Sequence, residues 1–367
     1  MPDAAAWLSR IQALKLTHPV RVLNVCGGHE RTISMAGIRA VLPDMITLIP
    51  GPGCPVCVCP EADILAAIQL AMRPDMILVA FGDMLRVPVN VGKGEIRSLA
   101  EARTRGADVR AVASPGQALM IARVNPLRQV VFFAAGFETT AAPIAAMLAE
   151  ELPDNFSVLL SARRTWPAVA MLLNAERPGF EGLIAPGHVA AVMGAEEWRF
   201  VPELHDVPAA VAGFTATSLL AALYAVLLQI QDAIPALENC YPEFVKAEGN
   251  TRAQACIAEV FDDVDASWRG IGTVQKSGFT LKPFLAAHDA RENFPAALRI
   301  AKTRAGDMPP GCDCAGVVMG RVKPVDCRLY GKACTPRMPV GPCMVSDEGA
   351  CRIWWSSGQR QETARAA

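Results

Sequence analysis

The sequence predicts an α/β protein with parallel sheets, followed by a smaller cysteine-rich segment. Apolar strand-like runs alternate with helical patterns over the first two thirds of the chain, which is typical of βαβ units. Several runs, such as Val130–Ala135, are apolar at every position, as expected for strands buried on both faces of a sheet. Towards the C-terminus proline, glycine and cysteine become frequent instead.

The elements follow one another in a regular order after a short helix over Ala6–Leu14. Strands are predicted at Val20–Val25, Met45–Ile49, Met76–Phe81, Val109–Ala113, Val130–Ala135, Ser157–Ser161, Gly182–Ala185 and Ala210–Phe214. The main helices are predicted at Pro60–Met72, Thr139–Leu152, Trp166–Leu173 and Ser218–Ile230. From about Pro235 strands become scarce.

We predict three domains from this pattern. Residues 1–118 form an α/β domain with the CGGHE and GPGCPVC motifs, and residues 119–234 form a second with the GFETT and PGHV motifs. Residues 235–367 form a cluster-binding domain.

Composition excludes several classes of protein. The formal net charge is -1 and no Lys/Arg stripe stands out, which argues against nucleic acid as a partner. Met1–Leu14 has no secretory signal pattern, so we expect a cytoplasmic protein, in which clustered cysteines indicate metal or redox sites before disulfides. The uncharged run Ala209–Ile230 is predicted as a strand and a buried helix rather than a membrane span.

Four unusual motifs each follow a predicted strand directly. In open parallel sheets, ligands bind beyond the carboxyl ends of the strands, so these loops are expected to meet at one place. The predicted site contains three or four Cys, two His and two Glu. The motifs are Cys26–Glu30 (CGGHE), Gly51–Pro60 (GPGCPVCVCP), Gly136–Thr140 (GFETT) and Pro186–Val189 (PGHV).

Cys54 and Cys57 have the spacing of a redox dithiol or half a metal site. Pro60 fits the first position of a helix, and free N–H groups at that helix start would favour thiolate over thiol. The alternatives are a zinc half-site or an inert pair. A third thiol at Cys26 favours a functional site, whereas Cys59 is assigned no role.

Polar side chains in the same motifs are candidates for proton transfer or for tuning a metal. Each has a structural alternative: a polar helix start for His29 and Glu30, a helix cap for a threonine, an exposed turn for a carboxylate, and a buried, hydrogen-bonded ring for the second histidine. The remaining candidates are Glu138, Thr139, Thr140, His188 and Asp83.

Six cysteines near the C-terminus exceed the four thiolates that a [4Fe–4S] cluster needs. The segment lacks the tight double CxxC of a zinc ribbon, although zinc remains the second interpretation. Cys240 and Cys256 stand alone and are predicted as core residues. The six are Cys312, Cys314, Cys327, Cys334, Cys343 and Cys351.

The chain resembles the HypD family of [NiFe]-hydrogenase maturation proteins. The resemblance implies two Rossmann-like domains and a third with a [4Fe–4S] cluster, whose family spacing is matched by Cys312, Cys327, Cys334 and Cys351 and leaves Cys314 and Cys343 as extra thiols. It rests on Cys26–Glu30, Gly51–Cys57, Phe81–Pro88, Gly136–Thr140, Pro186–Val189, Gly341–Ser346 and Glu348–Cys351.

The resemblance also implies a function, which is to build the Fe(CN)2CO group of the hydrogenase as an assembly scaffold rather than a turnover enzyme. HypC would contribute an iron-ligating thiol, and HypE would transiently supply cyanide from a thiocyanate on its C-terminal cysteine. A cluster-driven thiol–disulfide oxidoreductase and a zinc-stabilised binding module are the alternatives. The implied iron-site thiols are Cys26, Cys54 and Cys57, the last two also capable of a disulfide, and His29, Glu30, Glu138, Thr139, Thr140 and His188 would line the crevice.

The sequence departs from the family pattern in places. Cys59 stands where a hydroxyl residue is usual, and Thr215 stands where Glu usually follows Phe214. The segment Val89–Lys93 is longer and less glycine-rich than expected, which would alter a partner surface.

Overall fold

The computed structural model describes residues 2–306 and 308–359. Its strands are β1 (Val20–Asn24), β2 (Ile46–Pro50), β3 (Met76–Phe81), β4 (Val109–Val112), β5 (Gln129–Gly136), β6 (Phe156–Ala162), β7 (Gly182–Pro186), β8 (Ala209–Ala212), β9 (Leu237–Asn239), β10 (Phe261–Trp268) and β11 (Gly272–Leu281).

The α-helices alternate with these strands up to β9 and then dominate the rest of the chain. They are α1 (Ala4–Gln12), α2 (Gly27–Met35), α3 (Ile38–Val41), α4 (Pro55–Val58), α5 (Glu61–Ala71), α6 (Leu99–Thr104), α7 (Pro115–Arg123), α8 (Glu138–Leu148), α9 (Thr165–Leu173), α10 (Gly187–Met193), α11 (Phe200–His205), α12 (Ala216–Asp232), α13 (Thr251–Val260), α14 (Ala290–Asn293), α15 (Pro295–Arg304), α16 (Cys314–Val318) and α17 (Ala350–Ser356). Short 3-10 helices lie at Gly82–Arg86, Ala195–Trp198, Pro283–His288, Pro324–Asp326 and Pro342–Met344.

Two parallel sheets organise the molecule. The first, sheet A, has the strand order β2-β1-β7-β8-β9, and the second, sheet B, has the order β4-β3-β5-β6. Parallel neighbours require crossover connections, and helices supply them. These observations confirm the α/β class and the parallel sheets.

The apolar runs locate the strands closely. All eight predicted strands are present, and their bounds differ from the predicted ones by at most a few residues. Val130, Val131, Phe132 and Phe133 of β5 have no exposed surface, because helices cover both faces of a parallel sheet.

The two sheets do not correspond to two consecutive parts of the chain. β1 pairs with β7 through Val22 and Gly182, so the chain builds two strands of sheet A, then all of sheet B, and then returns to sheet A. The division predicted at residues 118 and 119 falls within sheet B, between β4 and β5. Apolar runs mark where strands occur and carry no information about which sheet a strand joins.

Strands also continue beyond Pro235, where the sequence pattern predicted few. β9 extends sheet A, and β10 and β11 form an antiparallel hairpin. The sequence pattern did not indicate β10, because three of its residues are exposed aspartates and aspartate is uncommon in strands. Its residues Phe261, Ala266 and Trp268 are buried. That the later segment forms a separate domain stays a prediction.

α12 covers most of the uncharged run that raised a membrane question, and most of its residues are buried or half-buried against sheet A. Within the part of the chain that the structure describes, no helix is both long and apolar enough to span a bilayer.

The tip of the hairpin is anchored beside the N-terminal cysteine loop. The Arg269 backbone N–H donates to the Val58 carbonyl at 2.9 Å, and its guanidinium donates to Glu61 at 2.6 Å and to the Pro88 carbonyl at 2.9 Å. The Arg269 and Glu61 side chains are both fully buried. This ion pair therefore joins the start of α5 to the distant hairpin.

We expect Arg269→Met to lower the free energy of unfolding by about 3–5 kcal/mol, because it leaves the Glu61 carboxylate buried without its counterion. Urea denaturation followed by tryptophan fluorescence measures the change. The control is Arg73→Met in the half-exposed Arg73–Asp75 pair, where the loss should be about 0–1 kcal/mol. Equal effects of the two substitutions would contradict the anchoring role.

Candidate functional site

The loops that follow β1 and β2 touch through their backbones. These strands are parallel neighbours, so both loops leave the same edge of sheet A. The Gly27 N–H donates to the Gly53 carbonyl at 3.1 Å, and the Gly51 N–H donates to the Asn24 carbonyl at 2.8 Å. A Cβ on Gly53 would lie 2.5 Å from Cys26 Cα, so only glycine permits this approach.

Three cysteines from the two loops line one small cleft. Cys26 is the N-cap residue of α2 and is half-buried. Cys54 is the N-cap residue of α4, Cys57 lies within α4, and both are buried. A disulfide joins Cys54 to Cys57, and the Cys57 N–H donates to Cys54 Sγ at 3.1 Å. The predicted meeting of sulfur atoms from two separate stretches of chain is therefore present.

The helix start beside the disulfide differs from the predicted one. The prediction placed Pro60 at the first position of the helix whose N–H groups face the cysteines. Pro60 is instead the N-cap of α5, and the short α4, with Pro55 in its first turn, lies between. The N–H group that reaches Cys54 is thus that of α4.

The C-terminal segment closes the other side of the cleft. A Cβ on Gly27 would lie 2.6 Å from the Glu348 carbonyl oxygen, so this segment packs directly on the residue that follows Cys26. The remaining lining residues are Asn24, Gly27, Glu30, Pro50, Gly51, Val317, Val318, Cys343, Glu348 and Ala350.

The cleft holds the Cys26 thiol in its protonated form. Burial raises the pKa of Cys26 to about 12, and the backbone N–H groups of His29 and Gly28 offset only part of that effect. Burial, together with the nearby charge of Asp83, also raises the pKa of Glu348 to about 7. A thiol in this state loses its proton readily only when a cation binds to the sulfur or a base accepts the proton.

His29 is a buried neutral side chain beneath the cleft. Its Nε2 lies 3.0 Å from the Ala212 carbonyl, to which it donates, and its Nδ1 lies 3.2 Å from Asn24 Oδ1. Burial lowers the pKa of His29 to about 3. The ring therefore positions the loop and carries no charge at neutral pH.

Phe214 connects the two histidines of the predicted site. Its ring centroid is 4.7 Å from that of His29, and it stacks on the exposed His188 at 3.7 Å. A Cβ on Gly28 would lie 2.9 Å from the Phe214 ring and 3.6 Å from Cys26 Sγ. His188 therefore lies near the cysteine cleft, with Phe214 between them. Because it is exposed, it is not the buried, hydrogen-bonded histidine that the sequence offered as an alternative.

Glu30 is held in place by three partners. It forms an ion pair with Arg39 at 2.8 Å, accepts the Trp354 indole N–H at 2.5 Å and lies 3.4 Å from Asn24 Nδ2. Trp354 belongs to α17, so Glu30 joins the first loop to the C-terminal helix. The geometry supports a structural role for this carboxylate.

The GFETT motif lies at the edge of sheet B and builds a separate polar cluster. Glu138 is fully buried and accepts both the N–H of Thr165 at 2.5 Å and its hydroxyl at 2.7 Å. Burial, and then the charge of Glu138, raise the pKa of Glu197 to about 8, while Arg164 lies 3.4 Å from Glu197. The described residues that line the cleft do not include Glu138, Thr139 or Thr140. Thr139 is exposed, and Thr140 packs against Gly136.

The six C-terminal cysteines converge in one region. The Cys312 thiol donates to Cys314 Sγ at 3.3 Å, and hydrogen bonds from Cys314 and Cys343 lower the pKa of Cys351 to about 6. Burial raises the pKa of both Cys327 and Cys334, and the nearby Cys312 sulfur adds to both shifts.

Six convergent sulfurs are a donor set that suits a thiolate-ligated iron–sulfur cluster. Among residues 2–306 and 308–359, however, no three His, Cys, Asp or Glu side chains are arranged as ligands of a single metal ion. Cys343 belongs to both regions, because it contacts Cys314 and Cys351 and also lines the cleft with Cys54 and Cys57.

Sequence reasoning missed several residues that line the cleft or contact the side chains beside it. Asn24 was detectable as a polar residue at the end of an apolar strand, and Glu348 as an acidic residue between Cys343 and Cys351. Phe214 and Trp354 gave no signal, because an aromatic residue in an apolar run is usually part of a core.

Comparison with known proteins gives a consistent result. The family model described as Hydrogenase formation hypA family, HypD, matches residues 3–358. Hydrogenase maturation factor HypD2 of Bradyrhizobium diazoefficiens is 40% identical over 352 residues, covering 93% of this chain and 90% of the relative. HypD of Rhodobacter capsulatus is 41% identical, with coverage of 93% and 90%. HypD of Escherichia coli is 38% identical, with coverage of 94% and 91%.

Gly53→Ala should separate the two loops, because its Cβ would meet the backbone of Cys26 rather than a flexible side chain. We expect a loss of about 1–3 kcal/mol in stability and faster modification of Cys26 by a thiol reagent, mapped by mass spectrometry. Gly116→Ala is the control, since nothing lies within 4 Å of its Cβ position. Unchanged Cys26 labelling in Gly53→Ala would show that the contact does not shield the thiol.

The Glu138–Glu197 pair should make stability depend on pH. The pKa of Glu197 is raised from 4.5 to about 8, so the folded state binds a proton that the unfolded state has released between those values. Stability should fall as pH rises through this range, at about 1.4 kcal/mol per pH unit from this site. Glu197→Gln should flatten that slope in denaturation measured at several pH values. The exposed Glu176→Gln serves as the control, and the idea fails if both variants keep the parent slope.

Proposed function

This chain belongs to the HypD family of hydrogenase maturation factors, and we propose that it is the scaffold on which an iron ion acquires cyanide and CO. The observation that supports this proposal best is the meeting of Cys26 with the Cys54–Cys57 pair in one cleft. Sulfur atoms from two loops on one side of an ion are a suitable anchor for a soft, low-spin iron.

The disulfide makes iron binding dependent on reduction. An external reductant that supplies two electrons, together with two protons from water, would convert the Cys54–Cys57 disulfide into two thiols, and these release the two protons when they ligate iron as thiolates. Cys26 is already a free thiol, and its high pKa means that its proton leaves when the cation binds. The iron is the cargo of this site, and in our proposal the protein releases it to the hydrogenase.

Cys312, Cys327, Cys334 and Cys351 would hold the [4Fe–4S] cluster. When bound, such a cluster supplies or accepts single electrons. Cys314 and Cys343 stay outside this ligand set, and Cys343 lies where the cluster region meets the cleft.

The proposed partners are HypC, which would present a further thiol to the iron, and HypE, which would donate cyanide transiently. Cys26 is half-buried and keeps some exposed surface, through which a partner would reach the iron position. We place this activity in the cytoplasm, without nucleic acid or membrane as a partner.

One observation favours a second candidate, a thiol–disulfide oxidoreductase that reduces other proteins. The Cys54–Cys57 disulfide and the C-terminal cysteines share a boundary at Cys343, as a reductase driven by a cluster would require. This candidate gives no role to Cys26 or to the Phe214 ring that lies beside it.

Single substitutions of the three thiols separate these functions. The chain should be purified anaerobically with HypC, and infrared spectra should show cyanide and CO bands for the parent. We expect Cys26→Ala, Cys54→Ala and Cys57→Ala each to abolish these bands.

Cys256→Ala, a free thiol outside the cleft, is the control and should keep the bands. Full bands with Cys26→Ala would refute the scaffold, and dithiol turnover without bands would favour the oxidoreductase. Zinc without iron or sulfide in metal analysis would refute both.

A further inference from the structure

A groove runs along the outer edge of sheet A, between β9 and the overhanging helix α12. It lies at the opposite edge of the sheet from β2, whose loop carries Cys54 and Cys57. Its walls are formed by Trp7, Ala221, Tyr224, Ala225, Leu228, Gln229, Asp232, Ile234, Ala236, Glu238, Asn239, Cys240 and Pro242.

β9 presents an open backbone edge to this groove. Among the described residues, β9 pairs with β8 alone. The Cys240 N–H donates to Val211 and the Ala236 carbonyl accepts from Ala209, both at 3.0 Å, so even-numbered residues face β8. Leu237 and Asn239 therefore direct their backbone groups outward, where a further strand would pair.

α12 extends past the last strand of the sheet. Ala221, Ala225 and Leu228 follow one another at helical spacing and form an apolar stripe that lines the groove. Ile234, just after the helix, is 67% exposed. A strand added beside β9 would cover this stripe in the way that β7 and β8 cover the rest of the helix.

The polar groups of the groove define the chemistry of its occupant. Asp232 and Glu238 are exposed, and the described residues that line the groove include no Lys or Arg. A nearby cation is Arg10, whose guanidinium lies 4.8 Å from the Trp7 ring centroid. The Trp7 indole N–H is buried and has no acceptor in the described part of the chain. Acidic side chains beside an apolar stripe complement a segment that carries apolar and basic side chains on one face.

We propose that β9 and α12 form a docking site for an extended, basic and apolar segment of a partner protein, which adds to sheet A as a sixth strand. Its backbone pairs with Leu237 and Asn239, its apolar side chains pack under α12, and its basic side chains reach Asp232 and Glu238. The site stands independently of the iron chemistry, because it shares no residue with the cysteine cleft.

The test uses the full chain and a short fluorescein-labelled peptide in which valine and lysine alternate on one face, with threonine between them. A matched peptide carries glutamate in place of lysine. In fluorescence anisotropy the lysine peptide should bind and the glutamate peptide should not. The double variant Asp232→Lys with Glu238→Lys should weaken the lysine peptide at least tenfold and allow the glutamate peptide to bind.

Leu237→Pro tests the backbone edge, since it removes an outward N–H and no bond to β8. It should weaken binding at least tenfold, whereas Glu176→Lys, an exposed charge outside the groove, should have no effect. Circular dichroism and thermal unfolding must match the parent; where Leu237→Pro fails this check, the charge-reversal variant alone decides.

Two results would overturn the proposal. The first is equal binding of both peptides, or no binding of the lysine peptide up to roughly 1 mM. The second is a concentration-dependent dimer in light scattering that the charge-reversal variant dissociates, which would show that a second copy of this chain occupies the groove.

Discussion

The close approach of the Cys26 loop to the Gly51–Gly53 loop is the constraint on which the rest of the site depends. The parallel pairing of β1 with β2 brings Asn24 opposite Pro50, so both loops start at the same level. Gly53 then allows its backbone to lie against Cys26. Without this contact the three sulfurs would belong to two separate loops, and no shared cleft would exist.

The remaining strands of sheet A complete the edge in the same way. β7 ends at Pro186, just before His188, and β8 ends at Ala212, just before Phe214. Since β7 lies beside β1, and β8 beside β7, while β2 lies on the other side of β1, the histidine and the aromatic ring follow strands on the side of β1 opposite to the strand that precedes the disulfide. A single sheet edge thus positions side chains that are nearly two hundred positions apart in sequence.

The sequence predicted the positions of the strands better than the contacts of the site. The apolar runs located every strand of both parallel sheets up to β8, because burial on both faces leaves a clear mark in sequence. The rule that ligands bind at carboxyl ends of strands then correctly brought Cys26 together with Cys54 and Cys57.

The same rule failed for Glu138, because it does not say that the GFETT loop belongs to a different sheet. β5 lies in sheet B, so Glu138 faces Thr165 and Glu197 rather than the thiols. Glu30 shows a second limit. Its partner Trp354 is 324 positions away, and no local pattern predicts such a contact.

The C-terminal segment explains why burial, rather than nearby positive charge, governs the thiol chemistry of the cleft. Glu348 packs on Gly27, and Trp354 binds Glu30, so this segment excludes water from Cys26 on one side. A buried thiol with a raised pKa is a poor nucleophile at neutral pH, and it is protected from adventitious oxidation for the same reason. A bound cation reverses this balance, because it stabilises the thiolate more strongly where the surrounding dielectric constant is low. A Cys26 thiol that stays protonated until a cation binds has the properties of a metal ligand, and the scaffold proposal gives this residue a role that an oxidoreductase built on Cys54 and Cys57 alone does not.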